Sequence, residues 1–319
     1  MNSATSGPPL PRVRDLTWVV ALAAALWGTD ALLRLPLAVQ VAAPTIVFAE
    51  HAVLVLVLLP FVPRSIRAFR RLDLGGRIAV VAIGAGASAV ATTLFTLSFR
   101  FGDPVTPAVI QKFQPVIAIV GAASLLHERL RPSFAFFAIP ALIGAWLLAF
   151  PNPLDIGVDQ AAVALLAFGA AVLWAAGTVL GRYVAPRLEA VELTTLRFGF
   201  GLPAALIIVL ATGSPLWVPD LQSTVSVVGI ALIPGLLAMW LYYVGLRRTA
   251  ASRATLAELA YPFTAAVVGV AFLDAHLSIG QWVGAALVVG AVTALSLHEA
   301  WAKVQSVQVD PEQLPSRTR

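Results

Sequence analysis

The chain has 319 residues, of which 59% are hydrophobic and only 12% charged, and a formal net charge of +5. Soluble globular chains carry about 25% charged residues, so this composition excludes a water-soluble domain and points to a bilayer. Cysteine is absent, which excludes disulfides, thiol nucleophiles and thiolate metal sites.

Ten apolar stretches follow in chain order, at about 16–34, 43–62, 78–99, 105–126, 134–150, 161–181, 193–212, 224–245, 254–273 and 279–298. A transmembrane helix needs roughly 20 mostly apolar residues. Strands of a membrane barrel are about 9–11 residues long and alternate in polarity, which these runs do not. The predicted fold class is therefore all-α integral membrane, with ten transmembrane helices. Arg12 and Arg14 precede the first run as they would in a signal peptide. The run is read instead as a retained helix, because it has a counterpart later in the chain.

That counterpart lies at an offset of 147. Trp27 in ALWGTDALLR matches Trp174 in VLWAAGTVLGR, and Arg100 matches Arg247, Pro115 Pro262, Leu126 Leu273 and Leu130 Leu277. All ten spans superimpose pairwise without a gap. The expected organisation is a tail at 1–15, a first five-helix repeat at 16–152, a second at 153–299 and a tail at 300–319.

Five spans per repeat put the two halves in opposite orientations. With the amino terminus inside, the inside segments hold seventeen Lys and Arg residues and the outside segments only Arg34 and Arg100. Cytoplasmic loops collect such residues, so both termini are expected in the cytoplasm. Inverted repeats of this kind are common in secondary transporters.

Five ionisable residues lie within apolar spans: Asp30, Glu50, Lys112, Arg197 and Glu258. Each costs about 2.5–3.5 kcal/mol at a helix centre unless it faces the bundle interior or pairs. Glu50 is the repeat counterpart of Arg197, and Gln111, beside Lys112, is that of Glu258. The expected pairs are therefore Glu50 with Lys112 and Arg197 with Glu258, as gating or coupling charges on either side of a central cavity. Buried ion pairs that only fix helix register are the alternative. Asp30 is expected to pair with Arg34 one turn on, or to bind cationic groups or a proton in an outer vestibule. His51 is a candidate proton site, or a hydrogen-bond partner of a neighbouring helix.

Pro115 and Pro262 fall at matched positions in KFQPVIA and LAYPFTA and are expected to kink helices lining the pathway. Gln111, Gln114 and Tyr261 would add neutral hydrogen-bonding groups there. Trp27, Trp174, Trp240, Tyr242 and Tyr243 are candidate cavity walls or interface anchors. Small-residue runs at 84–88, 177–181 and 280–284 suit close helix contact, the last of them alternatively a homodimer face.

HERLR at 127–131 and HEAWA at 298–302 lack the second histidine of a zinc-protease motif, and neither a phosphate-binding loop nor GxSxG occurs. No metal, cofactor or enzyme activity is expected. The basic stretch RSIRAFRRLDLGGR at 64–77 is explained by topology and anionic lipid rather than nucleic acid. The expected partners are the lipid bilayer and a small-molecule substrate.

These features resemble the drug/metabolite transporter superfamily, of the type built from two EamA domains. ALWGTDALLR is similar to the family's first-helix pattern, residues 242–292 to its second-domain signature, and LLHERLRPS at 125–133 keeps the Glu-Arg that ends helix four. The resemblance covers about residues 16–298. It implies ten helices and transport, often export, of a small organic metabolite by alternating access, in a bacterial cytoplasmic membrane. Asp30 and Glu50 depart from the family pattern, as do Asp274 and His276 where a Glu-Arg pair is commoner. A cavity offering both signs of charge suggests an amino acid or other zwitterion. The five buried charges sum to minus one, which makes proton coupling an expectation. A lipid or drug flippase and a non-transporting membrane scaffold are the alternatives.

Overall fold

The structure is a computed structural model that describes residues 16–98, 111, 113–128, 134–149, 154, 161–272 and 277–308. Every regular element among them is helical. In chain order these are α1 (Thr17–Trp27), α2 (Ala31–Gln40), α3 (Ala43–Arg71), α4 (Leu74–Ser98), α5 (Gln114–Leu125), α6 (Ala135–Ala149), α7 (Ala161–Val184), α8 (Ala190–Thr212), α9 (Leu221–Leu246), α10 (Ala251–Ala257), α11 (Ala260–Phe272) and α12 (Ile279–Gln308).

Among the described residues, α3, α4, α8, α9 and the 164–184 part of α7 are long and apolar enough to cross a membrane. Large apolar side chains such as Leu56, Ile78, Ile207 and Leu210 stand exposed on their outer faces. In water such a belt would be an aggregation surface; in lipid it is the solvated face.

Several boundaries differ from the sequence expectation. The first span is two helices, broken at Gly28–Asp30, and its second piece continues to Gln40. Thr29 Oγ1 turns back to the Leu26 carbonyl (2.7 Å), competing with the helix ladder at the break. The second span runs on to Arg71, past a tight 3₁₀ turn at Leu59–Phe61 that contains Pro60. Its basic end is anchored by Arg64 to Glu189 and Glu192 at the start of α8. The third span begins at Leu74 because Asp73 caps it, accepting from Gly76 N (3.1 Å). The last helix extends into the stretch expected to be a tail.

Helices from the two halves interleave. α1 packs on α9, α10 and α11, while α7 packs on α4 and α5; α3 lies against α8, and α6 against α12. Close approach is enforced by glycine. A methyl at Gly245 would meet Val20 Cγ2 at 2.6 Å, and one at Gly177 would meet Ala87 Cβ at 2.6 Å. Gly284 lies against Gly144 within the chain, so this small-residue face of α12 is used internally.

Both third helices contain a π-helical segment, Ala82–Val90 in α4 and Ala231–Leu237 in α9. The 147-residue offset carries 84–90 onto 231–237. Such wide turns free backbone carbonyls and recur at functional sites. Here the carbonyls of Ala87 and Pro234, themselves a repeat pair, each accept a side-chain donor from the opposite half. Arg197 Nη2 donates to Ala87 and Trp27 Nε1 to Pro234, both at 3.0 Å.

Candidate functional site

A cavity of about 240 Å³ lies where these broken and widened helices meet. Its walls are supplied in matched fashion. Among the described residues lining it, twenty form ten pairs separated by 147, for example Trp27 with Trp174, Glu50 with Arg197 and Gln111 with Glu258. The aromatic contacts repeat in the same way. Trp27 meets Tyr242 with ring centroids 5.1 Å apart, and Trp174 meets Phe95, the counterpart of Tyr242, at 5.0 Å. The cavity is therefore built equally from both halves, although its chemistry is unequal.

One region holds a charge cluster of two acids and one guanidinium, whose Arg34 Nη1 is buried without a hydrogen-bond partner among the described residues. Arg34, on α2, grips Asp30 at the helix break through Nε–Oδ2 and Nη2–Oδ1 (3.0 Å), and its Nη2 also reaches Glu50 Oε2 on α3 at 3.0 Å. The Asp30–Arg34 contact expected from the sequence is present. Glu50 shares the Arg34 guanidinium with Asp30; its expected pairing with Lys112 falls on a residue outside the described ones. The break at Gly28–Asp30 lets α2 turn Arg34 inward between the two acids.

Arg197, on α8, is 7% exposed and donates from Nη1 to Tyr243 Oη (3.1 Å) and from Nη2 to the Ala87 carbonyl. Its Nε has no partner. Glu258 sits between α10 and α11, where the helix breaks. It accepts from Tyr242 Oη (2.8 Å), Thr178 Oγ1 (3.2 Å) and Gln114 Nε2 (3.2 Å). The expected Arg197–Glu258 ion pair is absent: among the described residues neither side chain has a partner of opposite charge. The π segment of α4 draws the guanidinium to a backbone carbonyl. The helix break aims the carboxylate at α7 instead.

His51 is buried. Its Nδ1 lies 2.8 Å from the Val47 carbonyl and its Nε2 2.9 Å from Ser88 Oγ on α4. A carbonyl only accepts, so Nδ1 carries the proton and a neutral ring takes the Ser88 hydroxyl hydrogen at Nε2. Gln111, Gln114, Pro115 and Tyr261 also line the cavity. Pro115 stands in the first turn of α5, where its missing N–H costs no internal bond. Pro262 lies near the start of α11.

Sequence reasoning missed Ser88, Phe95, Thr178 and the anchoring of Tyr243. The offset alone would have found Phe95 from Tyr242. The acid of the Glu-Arg noted at the end of helix four, Glu128, accepts from Ala251 N (2.8 Å), Ser252 N (3.1 Å) and Ser252 Oγ (2.8 Å). This acid ties the end of α5 to the start of α10, beside the cavity.

The geometry defines a polytopic helical protein with an internal polar cavity between two related halves. The chain belongs to the EamA-like transporter family, which matches it over residues 16–150 and 161–297; this is the two-EamA-domain type of the drug/metabolite transporter superfamily, and the chain is a small-molecule transporter of the membrane. It is 29% identical over 262 residues to the riboflavin transporter ImpX of Fusobacterium nucleatum, covering 78% of this chain and 86% of that one. It is also 29% identical over 212 residues to the uncharacterized transporter YwfM of Bacillus subtilis, covering 63% and 67%. A solved crystal structure superposes with a TM-score of 0.73 at 21% identity, covering 89% of this chain and 97% of the other, and shares its fold.

Proposed function

We propose that the protein is a secondary transporter that exports a small zwitterionic metabolite, an amino acid or a molecule of similar size, across a bacterial cytoplasmic membrane. The observation that carries this reading is the cavity lined by repeat-related pairs. If the two five-helix halves are inverted, the same wall residues can face either side by exchanging the conformations of the halves. Ten spans with both termini in the cytoplasm are supported by the seventeen-to-two bias of basic residues. Asp30, Glu50, Arg197 and Glu258 are the charges that respond to substrate or gate access, with Lys112 as a fifth. Glu258, buried among neutral donors, is the candidate proton carrier, with His51 as a second site.

Proteoliposomes test this. Loaded with a panel of amino acids, betaines and amines, they should release one zwitterionic class faster than protein-free vesicles, and collapse of an imposed proton gradient should slow the release. Release unaffected by the gradient would remove the proton coupling. Absence of any protein-dependent zwitterion flux would overturn the substrate reading.

A flat aromatic substrate is the second reading. It is favoured by the two facing aromatic pairs and by a relative named as a riboflavin transporter. Riboflavin therefore belongs in the same panel.

A further inference from the structure

Two charges in the cavity, Arg197 and Glu258, have no partner of opposite sign among the described residues. Ionisable groups inside a membrane pair with one another or with backbone carbonyls. The Asp30–Arg34–Glu50 cluster obeys, since its cation is shared between two acids. Among the described residues Arg197 has a phenol and a backbone carbonyl as partners, with Nε left over, and Glu258 has two hydroxyls and an amide. Both line the same cavity, and they are of opposite sign.

We propose that the substrate supplies the two missing counter-ions: Arg197 receives its anionic pole, a carboxylate or equivalent, and Glu258 its ammonium. The inference rests on the zwitterion reading above and adds the orientation of the bound molecule. Neutral partners hold each side chain in place without cancelling its charge. The amide of Gln114 and the hydroxyls of Thr178 and Tyr242 fix the carboxylate, while the Ala87 carbonyl in the π segment fixes the guanidinium. A guanidinium forks onto a carboxylate through two parallel N–H bonds, so rotation of the substrate onto Nε and one Nη would satisfy the orphaned donor. The aromatic pair Trp27–Tyr242, beside Glu258, offers ring faces to an ammonium group. A molecule with one charge would complete one site and leave the other uncompensated, which selects for zwitterions.

The test truncates the ligand first and the protein second. Detergent-purified full-length protein is titrated with the zwitterion that most raises its melting temperature among L-phenylalanine, L-leucine, L-threonine and glycine betaine. Its decarboxylated amine and its amine-free acid are titrated in parallel. The wild type should bind each truncated probe at least about tenfold more weakly than the zwitterion, as loss of a charged hydrogen bond implies. Arg197→Gln should weaken the zwitterion by a similar factor and leave the amine unchanged. Glu258→Gln should weaken the zwitterion and leave the acid unchanged. Arg197→Lys, which keeps the charge, should retain part of the affinity and serves if the glutamine variant does not fold. Zwitterion binding undiminished in the Gln variants, or both truncated probes binding as tightly as the parent, would overturn the orientation and leave the substrate reading standing. No stabilisation of folded wild type by any zwitterion would overturn both.

Discussion

The two halves of the cavity share a scaffold and differ in charge. At Glu50 the first half places an acid that shares the single cation of Arg34 with Asp30. At the matched position the second half places Arg197, with neutral partners only, and the counterparts of Asp30 and Arg34 are Gly177 and Gly181. Gln111 in the first half becomes Glu258 in the second. The first half thus carries acids tied to a cation within the chain. The second carries charges left available to a ligand. Backbone symmetry sets where the walls stand, and side-chain asymmetry assigns which wall recognises substrate.

Substitutions can break this contrast in order of expected size. Arg34→Ala leaves Asp30 and Glu50 buried without a cation and should destabilise the protein by about 3–5 kcal/mol. Adding Asp30→Asn and Glu50→Gln should recover most of that loss, read as detergent melting temperature. If Arg34→Ala were no more harmful than Glu258→Gln, the two regions would not differ as described. Gly84→Ala comes next. Its new methyl would lie 2.7 Å from the Arg197 carbonyl on α8, and overpacking of this kind costs about 1–3 kcal/mol. The repeat counterpart is already alanine, Ala231, so the sharper comparison is between Gly84→Ala and the milder Ala231→Gly, expected near 1 kcal/mol.

Glu128→Gln removes the charge from the carboxylate tying α5 to α10, and should cost about 1 kcal/mol in stability. The same change should alter transport rate, because both tied elements line the cavity or abut Glu258. Glu258→Gln should cost less than about 1 kcal/mol in stability, since an amide oxygen still accepts from Tyr242 and Thr178. Its transport should nevertheless fall at least tenfold by the charge argument. Ser88→Ala removes one hydrogen bond to His51, about 0.5–1.5 kcal/mol, and should have the smallest effect on transport of the set.

Much of the site was legible because of the repeat. Trp27, Gln111, Gln114, Tyr242 and Tyr261 were found by combining polarity inside apolar runs with the offset, and the structure brings them to one cavity. The partners were harder. Pairing Glu50 with Lys112 and Arg197 with Glu258 followed from expecting the second span of each half to meet the fourth. Gly28–Asp30 breaks the first span and moves Arg34 inward, and Glu258–Leu259 breaks the ninth and turns the acid toward Thr178. The second break lies where Pro262 lacks the N–H that would bond the Glu258 carbonyl four residues earlier, whereas the first has no proline beside it. The π segment AIGAGASAV has no local signal apart from small residues. Only its matched position with the proline-containing ALIPGLL reveals it.

The absence of native cysteine makes the decisive measurement clean. Thr92→Cys and Met239→Cys place one thiol on each member of a repeat-related pair lining the cavity. Each is treated with a membrane-impermeant maleimide from either face, in right-side-out and inside-out vesicles. Alternating access through a shared cavity predicts that each thiol reacts from both faces and that a transported substrate slows both reactions. Labelling of each thiol from a single face only, whatever ligand is present, would contradict it.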